Sequence, residues 1–201
     1  MTKKDEFINK LNINIKSFNI LTIARYDWGK GIQDLICSIA LIINRKPSLK
    51  KIIKVNLIGH GKLQIFLEKL VTKYSLQDIV QFNNYIPYKE TIKWYQASDL
   101  FILPSTLEHG WQEQFGMVLV EAQACGLPVI STMTGSISEV LPNSCPKFPP
   151  SDFYSLAELI DELVFNPAKL KKIGELCYQN ALTQYDSEKF GKKINKIYQN
   201  L

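Results

Sequence analysis

Glu113 and Glu121 stand eight positions apart around a mostly apolar stretch that includes Met117, Val118, Val120, Ala122, Ala124 and Cys125. A carboxylate among such neighbours is costly to bury unless a donor, a cation or a ligand hydroxyl satisfies it. At about 1.5 Å rise per residue, a helical path would separate the two backbones by at most about 12 Å. That distance approximates a nucleotide sugar's reach from ribose to hexose. Between the two acids, the backbone amides of Phe115, Gly116 and Met117 open the helix, and such an end attracts a phosphate. The blander alternative is a solvated Glu113 and a Glu121 paired to a lysine. Earlier in the chain, Arg25 ends an apolar run and Lys30 starts the next helix. Two cations and free amides aimed at one point suit a diphosphate, although arginine and lysine in a loop also serve plain solubility.

These groups need elements to hold them. Residues 100–103 form a compact apolar run closed by Pro104-Ser105, and residues 128–130 start another, so residues 99–135 read as strand, loop, helix, strand. Such a unit favours a parallel sheet. Further buried strands are expected over 18–24, 52–58 and 79–82. Helices are expected from residue 32 to about 43, over 62–74, around Trp94 and Tyr95, and over 153–165, 168–184 and 187 onward. A turn with a short helix follows Thr134. Residues 142–150 read as an irregular proline-rich segment. The fold class is α/β: one Rossmann-like domain over 18–201, with a parallel sheet of about six strands and helices on both faces. Residues 1–17 read as an arm or helix.

Composition narrows the function. The chain has 201 residues, of which 46% are hydrophobic, and a formal charge of +5. One domain with a real core is the simplest arrangement. The lysines recur in separate clusters, which reads as solvated helix faces or, more sharply, as peripheral contact with an anionic membrane or attraction of an anionic donor. No basic run alternates with aromatics, which argues against a nucleic-acid partner. Cys37, Cys125, Cys145 and Cys177 form no C-x-x-C, and only two histidines could join them, so no metal site is expected. Cys37 and Cys125 fall in apolar helical patterns and are expected as buried thiols in a reducing, cytoplasmic setting. The charged N-terminus is not the pattern of a signal peptide. The longest apolar run, 35–43, is far short of the roughly 20 residues a membrane span needs.

The segment Glu113-Gln-Phe-Gly-Met-Val-Leu-Val-Glu121, followed by Ala122-Gln-Ala-Cys-Gly-Leu-Pro-Val-Ile130, resembles the paired-glutamate signature of the family 4 retaining glycosyltransferases of GT-B architecture. Several further motifs fall in the same order. Arg25 and Lys30-Gly31 match the family's diphosphate grip, with Ala24 where glycine is commoner. Gly59-His60-Gly61 matches a Gly-x-Gly near the donor, and Asn84-Tyr85-Ile86-Pro87 a loop beside the base, with Asn84 in place of a glycine. The resemblance implies that Arg25, Lys30 and Glu113 are catalytic. It also implies that Gly61, Tyr85, Ile86, Gln114, Phe115, Gly116, Met117, Val118 and Glu121 bind a UDP- or GDP-linked sugar, without a metal or other cofactor.

On this reading Glu113 faces the hexose, Glu121 the ribose, and the loop 106–112 lies over the sugar. The family pairs such a domain with an N-terminal acceptor domain, so the expected role is the donor-binding half of a glycosyltransferase, inactive until an acceptor domain or subunit is supplied. The alternatives are a non-catalytic nucleotide-sugar-binding subunit or sensor, and a nucleotide-sugar epimerase-like protein.

Overall fold

The computed structural model describes residues 17–108, 110 and 112–199. The expected arm over 1–17 lies almost wholly outside them, as do His109 and Trp111 of the loop expected over the sugar. Six strands form one sheet: β1 Phe18–Ile23, β2 Ile53–Ile58, β3 Val80–Asn83, β4 Leu100–Leu103, β5 Val129–Thr132 and β6 Lys147–Phe148. Their order is β3-β2-β1-β4-β5-β6 and every neighbouring pair is parallel. This is the doubly wound Rossmann order, in which the strand order reverses between β1 and β4.

All four residues of β4 and all four of β5 are buried, so both faces of the sheet must be covered. Two helix groups cover them. Helix α1 (Ile32–Arg45) packs with α2 (Gln64–Lys73) and α6 (Phe153–Val164). Helix α4 (Met117–Ala124) packs with α3 (Tyr88–Ala97) and α7 (Pro167–Gln184). A single-turn α5 (Ile137–Val140) follows β5, and α8 (Ser187–Gln199) ends the described chain. Helix α1 shows why its residues choose this element: Ile32, Leu35, Ile36, Ile39 and Ile42 recur at helical spacing and are all buried.

Side chains also tie the strand ends that will carry the site. Thr22 Oγ1 donates to the carbonyl of Ile102 at 2.7 Å, Ser131 Oγ to that of Leu103 at 2.6 Å, and Thr132 Oγ1 to that of Ser105 at 2.6 Å. These hydroxyls are buried and satisfied, which fixes the lateral register of β1, β4 and β5 where their C-terminal ends open.

Two expectations are corrected. The proline-rich segment is not wholly irregular, because Lys147 and Phe148 pair with Ser131 and Thr132 as the sixth strand. The buried thiols are also different ones. Cys37 and Cys125 are only half-buried, whereas Cys145 and Cys177 are buried with Sγ atoms 3.1 Å apart, both as free cysteines. The hydrogen bond with Cys177, and after it the nearby Lys147, hold the Cys145 thiol below its ordinary range against the opposing effect of burial.

Candidate functional site

The C-terminal ends of β1 and β4 diverge into two loops. Open α/β sheets bind ligands at such a point. After β1, Arg25 leads into a 3₁₀ turn, Trp28–Lys30, and then into α1. This loop is pinned to the one after β4: Thr106 N donates to the Gly29 carbonyl at 2.9 Å, and Thr106 Oγ1 to the Trp28 carbonyl at 3.0 Å. Lys30 is thereby delivered to Glu113, and its Nζ donates to Glu113 Oε2 at 2.6 Å. The side chains of this ion pair are only 14% and 9% exposed. Ser105 Oγ donates to the same carboxylate oxygen at 3.1 Å. On its backbone side, Glu113 accepts Ser136 N at 3.1 Å from the turn after β5. Three loops, from β1, β4 and β5, therefore position one carboxylate.

Glu113 is not on the helix. Gly116, in the left-handed conformation (φ 74°), is the N-cap of α4, whose first residue is Met117. Glu113 stands just before the helix start, so only the stretch from Met117 to Glu121 of the spacing between the two glutamates is helical. Glu121 lies in α4 and is half-buried. Its Oε2 accepts Tyr95 Oη from α3 at 2.7 Å, so its partner is a phenol and not the lysine of the bland alternative. Burial and the Glu121 charge both push the Tyr95 hydroxyl well above its ordinary range. The same carboxylate raises the exposed Tyr88.

Two adjoining cavities open here. One, of about 230 Å³, is lined by Ile23, Ala24, Arg25, Lys30, Leu103, Glu113, Gly116, Met117 and Val118. The other, of about 400 Å³, is mostly apolar and is bounded by Arg25, His60, Tyr85, Ile86, Tyr88 and Val118 among others. Arg25 and Val118 belong to both. Arg25 is 74% exposed and makes a 3.4 Å ion pair with Asp27, so its guanidinium stands at the mouth of both spaces. A third hollow, of about 360 Å³, has Glu121, Tyr88 and Tyr95 in its wall. A wider groove of about 720 Å³ lies by Ser98, Asp99, Leu127 and Pro128, at the N-terminal ends of β4 and β5 and away from this chemistry.

Of the residues singled out from sequence, Arg25, Lys30, Glu113, Gly116, Met117 and Val118 thus share one cavity, and Tyr85 and Ile86 line its neighbour. Glu121 stands beside the pair, across Tyr88. Gln114 bonds the Gln112 carbonyl, and Phe115 packs edge-on against Tyr185 at 5.8 Å. Gly61 has a different reason to be glycine: a Cβ there would sit 2.4 Å from the Tyr26 carbonyl oxygen, so the requirement comes from loop-on-loop packing. Sequence reasoning passed over Ser105 and Tyr95. Ser105 carries a local signal, as the hydroxyl after a strand-ending proline; Tyr95 carries none beyond its amphipathic helix. Among the described residues no group of three or more His, Cys, Asp or Glu side chains could hold a metal ion.

Comparison with known proteins places these features in a family. The family model described as glycosyl transferases group 1 matches residues 3–180. The gpi3 subunit of phosphatidylinositol N-acetylglucosaminyltransferase from Schizosaccharomyces pombe is 29% identical over 90% of this chain and 38% of its own length. A GDP-mannose-dependent phosphatidylinositol monomannoside mannosyltransferase from Corynebacterium glutamicum is 30% identical over 85% of this chain and 44% of its own. The chain thus spans less than half the length of these relatives. Among solved structures, HepE of Anabaena in complex with UDP superposes with a TM-score of 0.86 at 21% identity, over 100% of this chain and 54% of that one. The C-terminal domain of the group 1 protein LpcC from Francisella tularensis superposes with a TM-score of 0.76 at 22% identity, over 92% of this chain and 93% of that one. The chain belongs to the group 1 glycosyltransferases and has the fold of the C-terminal domain of their GT-B architecture.

Proposed function

We propose that this domain binds a nucleotide-activated sugar and forms the donor half of a retaining glycosyltransferase. The observation that carries the reading is the convergence of Arg25, Lys30, Glu113 and the start of α4 in one cavity at the point where the strand order reverses. A diphosphate there meets two cations and the unpaired amides of a helix N-terminus. The neighbouring apolar cavity, walled by Tyr85 and Ile86, takes the base. Glu121 accepts ribose hydroxyls and Glu113 orients those of the hexose. When the bond between the anomeric carbon and the diphosphate oxygen breaks, negative charge grows on the leaving group. Arg25, Lys30 and the helix end stabilise it, an electrostatic contribution that often dominates catalysis. Neither glutamate serves as the nucleophile.

The Corynebacterium relative is named for GDP-mannose, and the Anabaena neighbour is in complex with UDP. Both names support a nucleotide sugar, and either base suits the reading. Four free cysteines support a reducing, cytoplasmic setting. Transfer to a glycan, lipid or other acceptor requires a second domain or subunit that closes over the cavity and excludes water.

Isothermal titration with UDP, GDP and their sugars, with and without a chelator, tests the proposal. Binding that survives chelation is expected, since side-chain cations and helix amides do the work of a metal. Failure to bind any of these ligands would refute the assignment. Loss of binding on chelation would refute its metal-independent form.

A further inference from the structure

Two of the four cysteines are brought together by tertiary structure alone. Cys145 and Cys177 are 32 positions apart in sequence, both are buried, and their Sγ atoms lie 3.1 Å apart. Each sulfur sits in a fixed frame. Cys177 is on the buried face of α7, with Ile173, Gly174 and Ala181. That face is set close against the chain around α4: a Cβ on Gly174 would stand 2.5 Å from the Gly126 carbonyl oxygen, and Asn180 Nδ2 donates to Gln123 Oε1 at 2.7 Å and to the Val140 carbonyl at 3.1 Å. Cys145 lies in the turn before β6, where its backbone N donates to the Pro142 carbonyl at 3.0 Å and Lys147 Nζ donates to the same carbonyl at 2.9 Å. The two sulfurs need to approach by only about 1 Å to reach the length of a disulfide bond.

We propose that Cys145 and Cys177 form a reversible redox couple, oxidised by a peroxide to a disulfide that ties α7 to the turn leading into β6. Cys145 is the attacking sulfur. Its thiol is held below the ordinary range by the contact with Cys177 and by Lys147, while the same contact, with burial, pushes Cys177 well above its own. The Cys145 thiolate attacks one peroxide oxygen, the O–O bond breaks, and the departing hydroxide leaves as water with the proton that Cys145 gave up. Cys145 is then a sulfenic acid. The Cys177 sulfur attacks the Cys145 sulfur, the S–O bond breaks, and the Cys177 proton leaves with that hydroxyl as a second water. Two thiols have lost two electrons and two protons, and hydrogen peroxide has become two waters. A dithiol reductant reopens the bond by exchange.

Burial by itself is ordinary for cysteine; a second sulfur in hydrogen-bond contact is what sets this pair apart. Cys37 and Cys125 are more exposed, but burial pushes both of their thiols up, so they hold less of the reactive thiolate at neutral pH. An oxidant has a route to the pair. Cys145 adjoins the two-residue β6 at the edge of the sheet, and Gly174 and Tyr178, on either side of Cys177 in sequence, line the open groove of about 720 Å³. Short edge elements of this kind open locally at low cost. The proposal is independent of the nucleotide site: the pairing of Lys147 with Ser131 puts Cys145 near the start of β5, whereas the nucleotide cavities open at the C-terminal ends of β1 and β4.

Hydrogen peroxide treatment of the folded 201-residue chain, followed by thiol blocking and peptide mass spectrometry, tests it. The expected product is a monomer lighter by two hydrogens, with the Cys145 and Cys177 peptides joined, and dithiothreitol should restore the parent mass. Closing a loop of this length should raise the melting temperature by about 10 °C over the reduced chain. In Cys177→Ala, which lacks the resolving sulfur, dimedone should trap the sulfenic acid on Cys145, whereas Cys145→Ser should leave Cys177 unlabelled. The proposal is overturned if the folded chain keeps all four thiols, if the link forms only in urea, if it joins Cys37, Cys125 or two chains, or if the oxidised chain melts as the reduced one does. Labelling of Cys177 instead of Cys145 would overturn the order of attack. The mass and melting outcomes need only the parent chain, so a variant that does not fold leaves the test standing.

Discussion

The Lys30–Glu113 pair allows the sharpest test of the site, because fold and ligand make opposite demands on it. At 2.6 Å the two charges attract by about 6 kcal/mol in an effective dielectric near 20. Withdrawing each ion from water costs several kcal/mol, and both side chains are largely withdrawn, so the pair is close to neutral for stability against an uncharged substitute. Removing one partner is different, since the other charge stays in place and loses this ion pair. Glu113→Gln and Lys30→Met should each destabilise the domain by about 3 to 5 kcal/mol, and the double variant should recover most of that loss. Urea unfolding of all four proteins measures the coupling. Additivity within about 0.5 kcal/mol would mean that the pair is not closed in solution, and the argument would fail.

The ligand arm of this test has the reverse sign for one variant. With Glu113 neutral, Lys30 no longer exchanges a carboxylate for the phosphate, so Glu113→Gln should hold the nucleoside diphosphate at least as tightly as the parent does. It should lose the extra affinity for the intact nucleotide sugar, about 1.5 to 3 kcal/mol for a hydrogen bond to a charged group. Lys30→Met should weaken both ligands by a similar factor. Equal losses for both ligands in Glu113→Gln would refute the placement of this carboxylate at the hexose.

Three other outcomes follow from the geometry. Gly135→Ala puts a Cβ 2.0 Å from the Glu113 carbonyl oxygen at a φ of +51°, so it should cost at least about 2 kcal/mol in a thermal melt and loosen Glu113; an unchanged melt refutes this. Tyr95→Phe removes the hydroxyl held by Glu121 and should cost about 1.5 kcal/mol of stability, with a few-fold loss of nucleoside diphosphate affinity by titration. Burial pushes the Asp34 carboxyl up to about 6, and its Oδ2 has no hydrogen-bond partner. The folded state therefore holds this proton to higher pH than the unfolded chain does. The group does not penalise folding below about pH 4, and the penalty grows until about pH 6. Asp34→Asn should match the parent near pH 4 and be more stable above about pH 6, by about 1 kcal/mol after discounting for its partial exposure; a gain at acid pH instead would reverse the argument.

What could be read from the sequence follows from how local each determinant is. Strand β4 is a continuous apolar run, and β1 and β2 are apolar-rich with Asn19, Thr22, Lys54 and Asn56 among them, because a parallel strand covered on both faces keeps little polar side to alternate with. Their loops begin at Arg25, Gly59 and Pro104, residues that announce themselves. β6 is two residues long and set among prolines, so no periodicity could reveal it; it exists because Ser131 and Thr132 present an open edge. The charged residues of the candidate site could be singled out one at a time. Their partners were not, since Lys30 and Glu113 are 83 positions apart and Tyr95 and Glu121 are 26 apart. Those pairings depend on β1 lying beside β4 and on α3 packing against α4, facts of topology that no window of sequence contains.

That dependence bears on how a cavity rich in positive charge stays folded. An anion-binding cavity at the reversal of a parallel sheet gathers positive potential from lysine, arginine and a helix end. Here Glu113, held by the loops from β4 and β5, supplies a counter-charge to Lys30 from within the chain. On the proposed reading, an arriving diphosphate takes over part of that counter-charge, and the carboxylate becomes able to turn its acceptor capacity toward the sugar hydroxyls. The same exchange would couple the two ends of the donor: the phosphate that engages Lys30 also readies Glu113 for the hexose. A free nucleoside diphosphate completes only the first half of that exchange. The affinity gap between it and the intact nucleotide sugar should therefore reside largely in one side chain, Glu113.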